Sequence, residues 1–256
     1  MAFTYGDRNM KKILLIHGMG TSAKVCYGPL IPYLSDYFVI MWEVDGHSDT
    51  EKGDFVSVSD ACDRIEKYVF ENFDGSLYAV SGFSLGGTLA VELLARGNIR
   101  IEKVFLDAPF IAGFGIFSDF VAKGFVKQIE RLKSGKQPVG LLRDMAMGKD
   151  NNAPIEMFYD NVSNETIMNV CLSLFSYEVP EKLKERNIPV MMIYGSFETF
   201  PKKSAVILKG YIPQLRVVVI PGLGHGQFIY YHTQEYAKML CDFLAEDDKE
   251  KENTSI

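Results

Sequence analysis

The chain has 256 residues, 47% of them apolar, and a formal net charge of −6. This is enough chain to bury a sizeable core in one large domain or two small ones. The acidity excludes a nucleic-acid binder, which needs clustered Lys and Arg to neutralise phosphates. No apolar run is long enough to cross a bilayer, and MAFTYGDRNMKK at the start lacks the continuous apolar stretch of a signal peptide, so no stable membrane insertion is expected.

In chain order, the first apolar run is Lys12 to Ile16 (KILLI), which ends at the Gly-rich loop His17-Gly18-Met19-Gly20. Phe38 to Trp42 (FVIMW) follows and leads to Val44-Asp45-Gly46-His47-Ser48-Asp49. Val58 to Phe70 places Val58, Ala61, Ile65 and Val69 at helical spacing. Leu77 to Ser81 (LYAVS) is a third apolar run, and Leu85 to Arg96 is a helix stopped by Gly97. A fourth run covers Lys103 to Leu106 within IEKVFL.

The rhythm then breaks. From about Pro109 to Glu185 no strand-like run appears, and the stretch is rich in Phe and Met, including Phe110, Phe125, Met147, Phe158 and Phe175. It reads as a helical insertion, with Ala112-Gly113-Phe114-Gly115 near its start. Val190 to Tyr194 (VMMIY) and Leu215 to Ile220 (LRVVVI) resume the strand pattern, Thr233 to Leu244 is a last amphipathic helix, and the chain ends in a charged tail from Glu246 that reads as solvated. Apolar strands without alternation, separated by helices, predict a doubly wound, mostly parallel α/β sheet. The expected organisation is a core from residues 1–108 and 186–256 with a helical cap from residues 109–185. Cys26, Cys62, Cys171 and Cys241 are widely spaced with no CxxC pair, so neither a zinc site nor a disulfide framework is expected. A reduced, cytoplasmic protein is the expectation, with Cys26 an ordinary small core residue.

Three segments carry chemistry. Gly82-Phe83-Ser84-Leu85-Gly86 is a GxSxG string, weak alone but here placed between a strand and a helix. That context is a sharp turn that exposes a serine at the carboxyl edge of a sheet, with small neighbours because the backbone must pass close to strand and helix. A serine attacking a carbonyl creates an oxyanion, which needs two backbone N–H donors. Leu85 and Met19 are the expected pair, with His17 holding the loop. Serine also needs a base, since its hydroxyl is barely ionised at neutral pH. His225, in Gly222-Leu223-Gly224-His225-Gly226, is the candidate, with His47 and His232 as alternatives.

HGMG, VDGHSD, GFSLGG and GLGHG occur in an order and spacing that resemble the α/β-hydrolase superfamily over about Lys12 to Leu244, closest to small esterase- or lipase-like members with a helical cap. The resemblance implies that fold, no cofactor and no metal, and Ser84 as nucleophile with His225 as base. The family acid usually sits three residues after a glycine that ends the penultimate strand, which here is Glu198 in Tyr194-Gly195-Ser196-Phe197-Glu198, where Asp is usual. Asp107, at the end of the strand after the nucleophile helix, is the alternative acid. Relatives carry two strands ahead of the first run here, and this N-terminus is too short for both, so about six strands are expected. Cleavage of a carboxylic ester or thioester of a small, apolar substrate is the leading expectation. An acyltransferase, a C–C hydrolase or a lyase could use the same residues, and a non-catalytic small-molecule binder could use the same scaffold. Oligomeric state is left open.

Overall fold

The computed structural model describes residues 1–47, 53–111, 113–149, 151–158 and 162–246. Ser48 and Asp49 of VDGHSD, Ala112 of the AGFG segment, and the charged tail after Glu246 lie outside the described residues. Seven strands form one sheet: β1 (Ala2–Tyr5), β2 (Lys11–Ile16), β3 (Tyr37–Trp42), β4 (Ser76–Phe83), β5 (Arg100–Asp107), β6 (Val190–Gly195) and β7 (Arg216–Ile220). Their spatial order is β1-β3-β2-β4-β5-β6-β7. Every neighbouring pair is parallel except β1 with β3.

The continuous apolar runs follow from cover on both faces. In β2, Leu14 and Ile16 pack in one core cluster with α2 (Val58–Phe73) and α3 (Leu85–Arg96), whereas Ile13 and Leu15 belong to a second cluster with α1 (Ala23–Tyr27) and the last helix of the chain. All four of these strand side chains are buried. A strand sealed on both sides has no polar face to show, which is why alternation is missing. The helix starts and stops are chemical. The Ser57 hydroxyl accepts the Asp60 amide at the head of α2 (3.1 Å), and Gly97 ends α3 in the left-handed conformation. Between β5 and β6 lie α4 (Ser118–Lys133), α5 (Leu141–Met147) and α6 (Asn164–Phe175), with no strand among the described residues there. The chain closes with α7 (Thr199–Lys209), α8 (Gln227–Tyr231) and α9 (Thr233–Leu244).

The strand count corrects the sequence expectation of about six. Ala2–Tyr5 pairs antiparallel with β3, Ala2 opposite Trp42 and Tyr5 opposite Val39. An edge strand can be short and half-exposed, so it carries no apolar run to detect. Its signals are the β-formers Phe3, Thr4 and Tyr5 followed by Gly6, whose φ of 91° lets the backbone pass the Tyr37 carbonyl where a Cβ would sit 2.6 Å from the oxygen.

The β4–α3 junction tolerates no added atoms. A Cβ on Gly82 would lie 2.1 Å from the Gly86 carbonyl oxygen, and one on Gly86 would lie 1.9 Å from the Ile16 carbonyl oxygen. Both obstacles are backbone and cannot swing aside. Gly86→Ala is expected to destabilise the fold by roughly 1–3 kcal/mol through forced backbone movement. Gly28→Ala, at a site with nothing within 4 Å, should stay within about 0.5 kcal/mol of the parent. Urea unfolding of the two variants checks the contrast, and equal stabilities would show that the junction can relax.

Candidate active site

Ser84 links β4 to α3 with φ 54° and ψ −113°, a conformation that L-residues rarely adopt. Its amide donates to the Asp107 carbonyl (2.8 Å), and its own carbonyl accepts the first helical bonds, from Gly87 (3.0 Å) and Thr88 (3.2 Å). The Leu85 amide therefore precedes the first intrahelical bond and has no acceptor in the helix. It also lies at the positive end of the helix dipole.

The HGMG loop passes directly over this turn. A Cβ on Gly18 would lie 3.2 Å from the Ser84 Cβ and 2.8 Å from the Phe83 ring. His17 is buried and braces the loop: its Nδ1 donates to the Gly18 carbonyl (2.8 Å) and its Nε2 accepts from the Val44 amide (3.0 Å). Met19 reaches the same cavity as Ser84.

Two further loops meet at the serine. At the end of β6, the Glu198 side chain turns back so that Oε2 accepts from the Gly195 amide (2.5 Å) while Oε1 faces His225 Nδ1 (2.6 Å). His225 Nε2 lies 3.0 Å from Ser84 Oγ. The two loops are tied to each other, since the Phe197 amide donates to the Leu223 carbonyl (3.1 Å) and the Gly222 amide to Ser196 Oγ (2.9 Å). The glycines of GLGHG have separate reasons. Gly222 and Gly226 have positive φ, and a Cβ on Gly224 would lie 2.7 Å from the backbone of Met147 in α5. The Phe83 ring stacks on the imidazole at 5.0 Å, and the His225 amide donates to the Ala146 carbonyl of α5 (3.0 Å).

The structure thus brings Ser84, His225 and Glu198 into one hydrogen-bonded chain and leaves Asp107 out of it. Asp107 is buried at the end of β5, and desolvation, followed by the nearby charge of Glu198, pushes its carboxyl well above the ordinary range. The other histidines stand apart. His47 is buried, with its Nδ1 bonded to the Asp45 carbonyl (2.9 Å), and burial, then the neighbouring His17, lowers its pKa to about 3. His232 caps α9 and packs on Phe228.

Over Ser84 lies a cavity of about 140 Å³. Its walls come from the sheet edge and from the segment between β5 and β6: Phe125 and Leu132 of α4, Met147 of α5, and Leu174 and Phe175 of α6. Phe110, Phe114, Phe125, Phe175 and Phe200 form a linked ring cluster at the root of that segment. Sequence reasoning missed Gln128 and Arg143, which line the cavity from α4 and α5. Nothing in a surface helix pattern separates such a side chain from a solvated one. Among the described residues no group of three His, Cys, Asp or Glu side chains is placed to hold a metal, and no helix is long and apolar enough to span a membrane.

A parallel sheet with a strained serine between strand and helix, and a carboxylate and imidazole on the loops after β6 and β7, is the arrangement of the serine-nucleophile hydrolases. The alpha/beta hydrolase fold model matches residues 11–230, and the chain belongs to that family. It is 21% identical to a pimeloyl-[acyl-carrier protein] methyl ester esterase of Neisseria meningitidis over 253 residues, covering 92% of this chain and 94% of the relative. It is 23% identical to the enzyme of that name from Edwardsiella ictaluri over 249 residues, covering 91% and 93%. Among solved structures, an alpha/beta hydrolase family protein from Desulfitobacterium hafniense superposes with a TM-score of 0.88 at 22% identity, covering 95% of this chain and 100% of that one. A structure from a study of carboxylesterases of Nitrososphaera gargenis gives 0.79 at 17% identity, covering 98% and 95%.

The raised Asp107 carboxyl has a consequence for stability. An acid that keeps its proton when folded but loses it when unfolded contributes fully below the ordinary carboxylate range. It loses that contribution as pH rises toward its folded value, at about 1.4 kcal/mol per pH unit. Asp107→Asn cannot ionise. Its unfolding free energy relative to the parent should therefore shift in the variant's favour between pH 4 and pH 7. Paired denaturant titrations at the two pH values check this, and a pH-independent difference would mean that Asp107 is ionised in the folded chain.

Proposed function

We propose that the protein is a carboxylic ester hydrolase that works through an acyl-enzyme on Ser84, with residues 109–185 acting as a helical cap over the site. The observation that carries this reading is the Glu198–His225–Ser84 chain, with contacts of 2.6 and 3.0 Å, opening into an apolar cavity. Ser84 Oγ adds to the ester carbonyl carbon while His225 Nε2 takes its proton. Glu198 holds the other ring nitrogen and stabilises the imidazolium. The oxyanion is met by the amides of Leu85 and Met19. His225 then returns the proton to the departing alcohol; a water, deprotonated by the same nitrogen, adds to the acyl carbon, and the C–O bond to Ser84 breaks as His225 gives that proton back to Ser84 Oγ, releasing the acid.

The curated relatives are named for a methyl ester on a chain held by acyl-carrier protein, which is a carboxylic ester. At this identity the ester class carries over, and an apolar acyl or alcohol portion fits the Phe- and Met-lined cavity. Thioesters share the geometry. The widely spaced, free cysteines accord with a reducing, cytoplasmic setting.

Ser84→Ala and His225→Ala should each remove most turnover of a 4-nitrophenyl ester, and the double variant should lose little more, because the two act as a unit. Ser84 should also be labelled by a fluorophosphonate. Glu198→Gln should lower kcat by roughly 10³- to 10⁴-fold, while Asp107→Asn keeps turnover once folded. Reversal of the last pair would move the acid to Asp107.

A further inference from the structure

Outside the Ser84–His225–Glu198 chain, the cavity wall is apolar except for Thr21, Gln128 and Arg143. The Thr21 hydroxyl is itself sealed from solvent. The other two sit on adjacent helices of the segment between β5 and β6 and offer only donors. Gln128 Oε1 is used, since it accepts the Val139 amide (2.8 Å), which leaves its NH₂ group as the free end. Arg143 Nε lies 2.9 Å from Asp144 Oδ1, and the terminal guanidinium nitrogens have no partner among the described residues. The Arg143 side chain is 24% exposed, as expected of a charged head that stays hydrated at a cavity rim. Residues 118–147 carry six Lys and Arg against three Asp and Glu, in a chain whose net charge is −6.

An uncommitted guanidinium and an uncommitted amide NH₂ at the edge of an apolar cavity make a poor wall for an alkyl chain and a good one for a planar anion. We infer that Arg143 and Gln128 form a carboxylate subsite, and that the substrate is an ester bearing a carboxylate remote from the scissile bond. This rests on the ester-hydrolase reading of Ser84 and adds a specificity determinant to it. The contact with Asp144 involves only the Nε edge, where both atoms are sealed from solvent and neither makes a hydrogen bond, so the terminal nitrogens remain for a ligand.

The test compares matched esters that differ only in terminal charge. The acyl-side arm is 4-nitrophenyl hexanoate against the mono-4-nitrophenyl ester of adipic acid. The alcohol-side arm is butyl acetate against 4-acetoxybutyrate. The readout is the ratio of kcat/KM, acid-ended over neutral, in the parent, Arg143→Gln and Arg143→Lys, and a ratio is insensitive to the fraction of enzyme folded. In one arm the parent should favour the acid-ended ester, Arg143→Gln should lower the ratio by roughly 10- to 100-fold, mainly through KM, and Arg143→Lys should restore part of it. The arm that responds says which side of the ester carries the charge. A ratio unchanged by Arg143→Gln in both arms overturns the subsite while leaving the hydrolase reading intact. Loss of all ester turnover in the parent would overturn that reading instead. Calorimetric titration of the Ser84→Ala variant with monomethyl adipate against dimethyl adipate then reads the subsite without chemistry: a preference for the monoester that vanishes when Arg143→Gln is added supports it, and equal binding of both overturns it.

Discussion

The site depends on one backbone constraint, the left-handed φ of Ser84. Such a conformation costs of order 1–3 kcal/mol and survives only because its surroundings leave no alternative. The Ser84 amide is fixed to β5, its carbonyl starts α3, and glycines on either side let the strand, the helix and the Ile16 carbonyl converge within contact distance. The packing of α3 in the core therefore bears directly on the hydroxyl. An error of one methyl at Gly82 or Gly86 is transmitted to the reactive oxygen because no flexible side chain lies between to absorb it.

Around that fixed point the sheet places two carboxylates in different surroundings. Asp107 and Glu198 leave neighbouring strands and both are buried. Glu198 is held by the Gly195 amide and the His225 imidazole, while desolvation, then the nearby Glu198, pushes the Asp107 carboxyl well above the ordinary range. Glutamate in place of the usual aspartate fits for a local reason. Its loop turns back on Gly195, so the longer side chain bridges from position 198 to both the Gly195 amide and the ring.

Much of this was legible in the residues. The β2 to β7 strands and α3 and α9 were marked by runs and stops that depend on local chemistry, and Ser84, His225 and Glu198 lie where the turn strings placed them. What was not legible depends on contacts distant in sequence. β1 is defined by its pairing with β3, not by its own composition. The path of α2 runs on to Phe73, past the last periodic residue, because Asp74 accepts a left-handed φ of 51°. Gln128 and Arg143 look like ordinary surface residues on amphipathic helices. Only the way α4 and α5 lie across the sheet edge turns them toward Ser84.

The hydrogen bond from the His225 amide to the Ala146 carbonyl joins the imidazole's loop to α5, and Gly224 brings the two backbones into contact. The helix that walls the cavity is thus also a strut for the imidazole. A displacement of α5 would therefore pull on the backbone that sets the imidazole against Ser84.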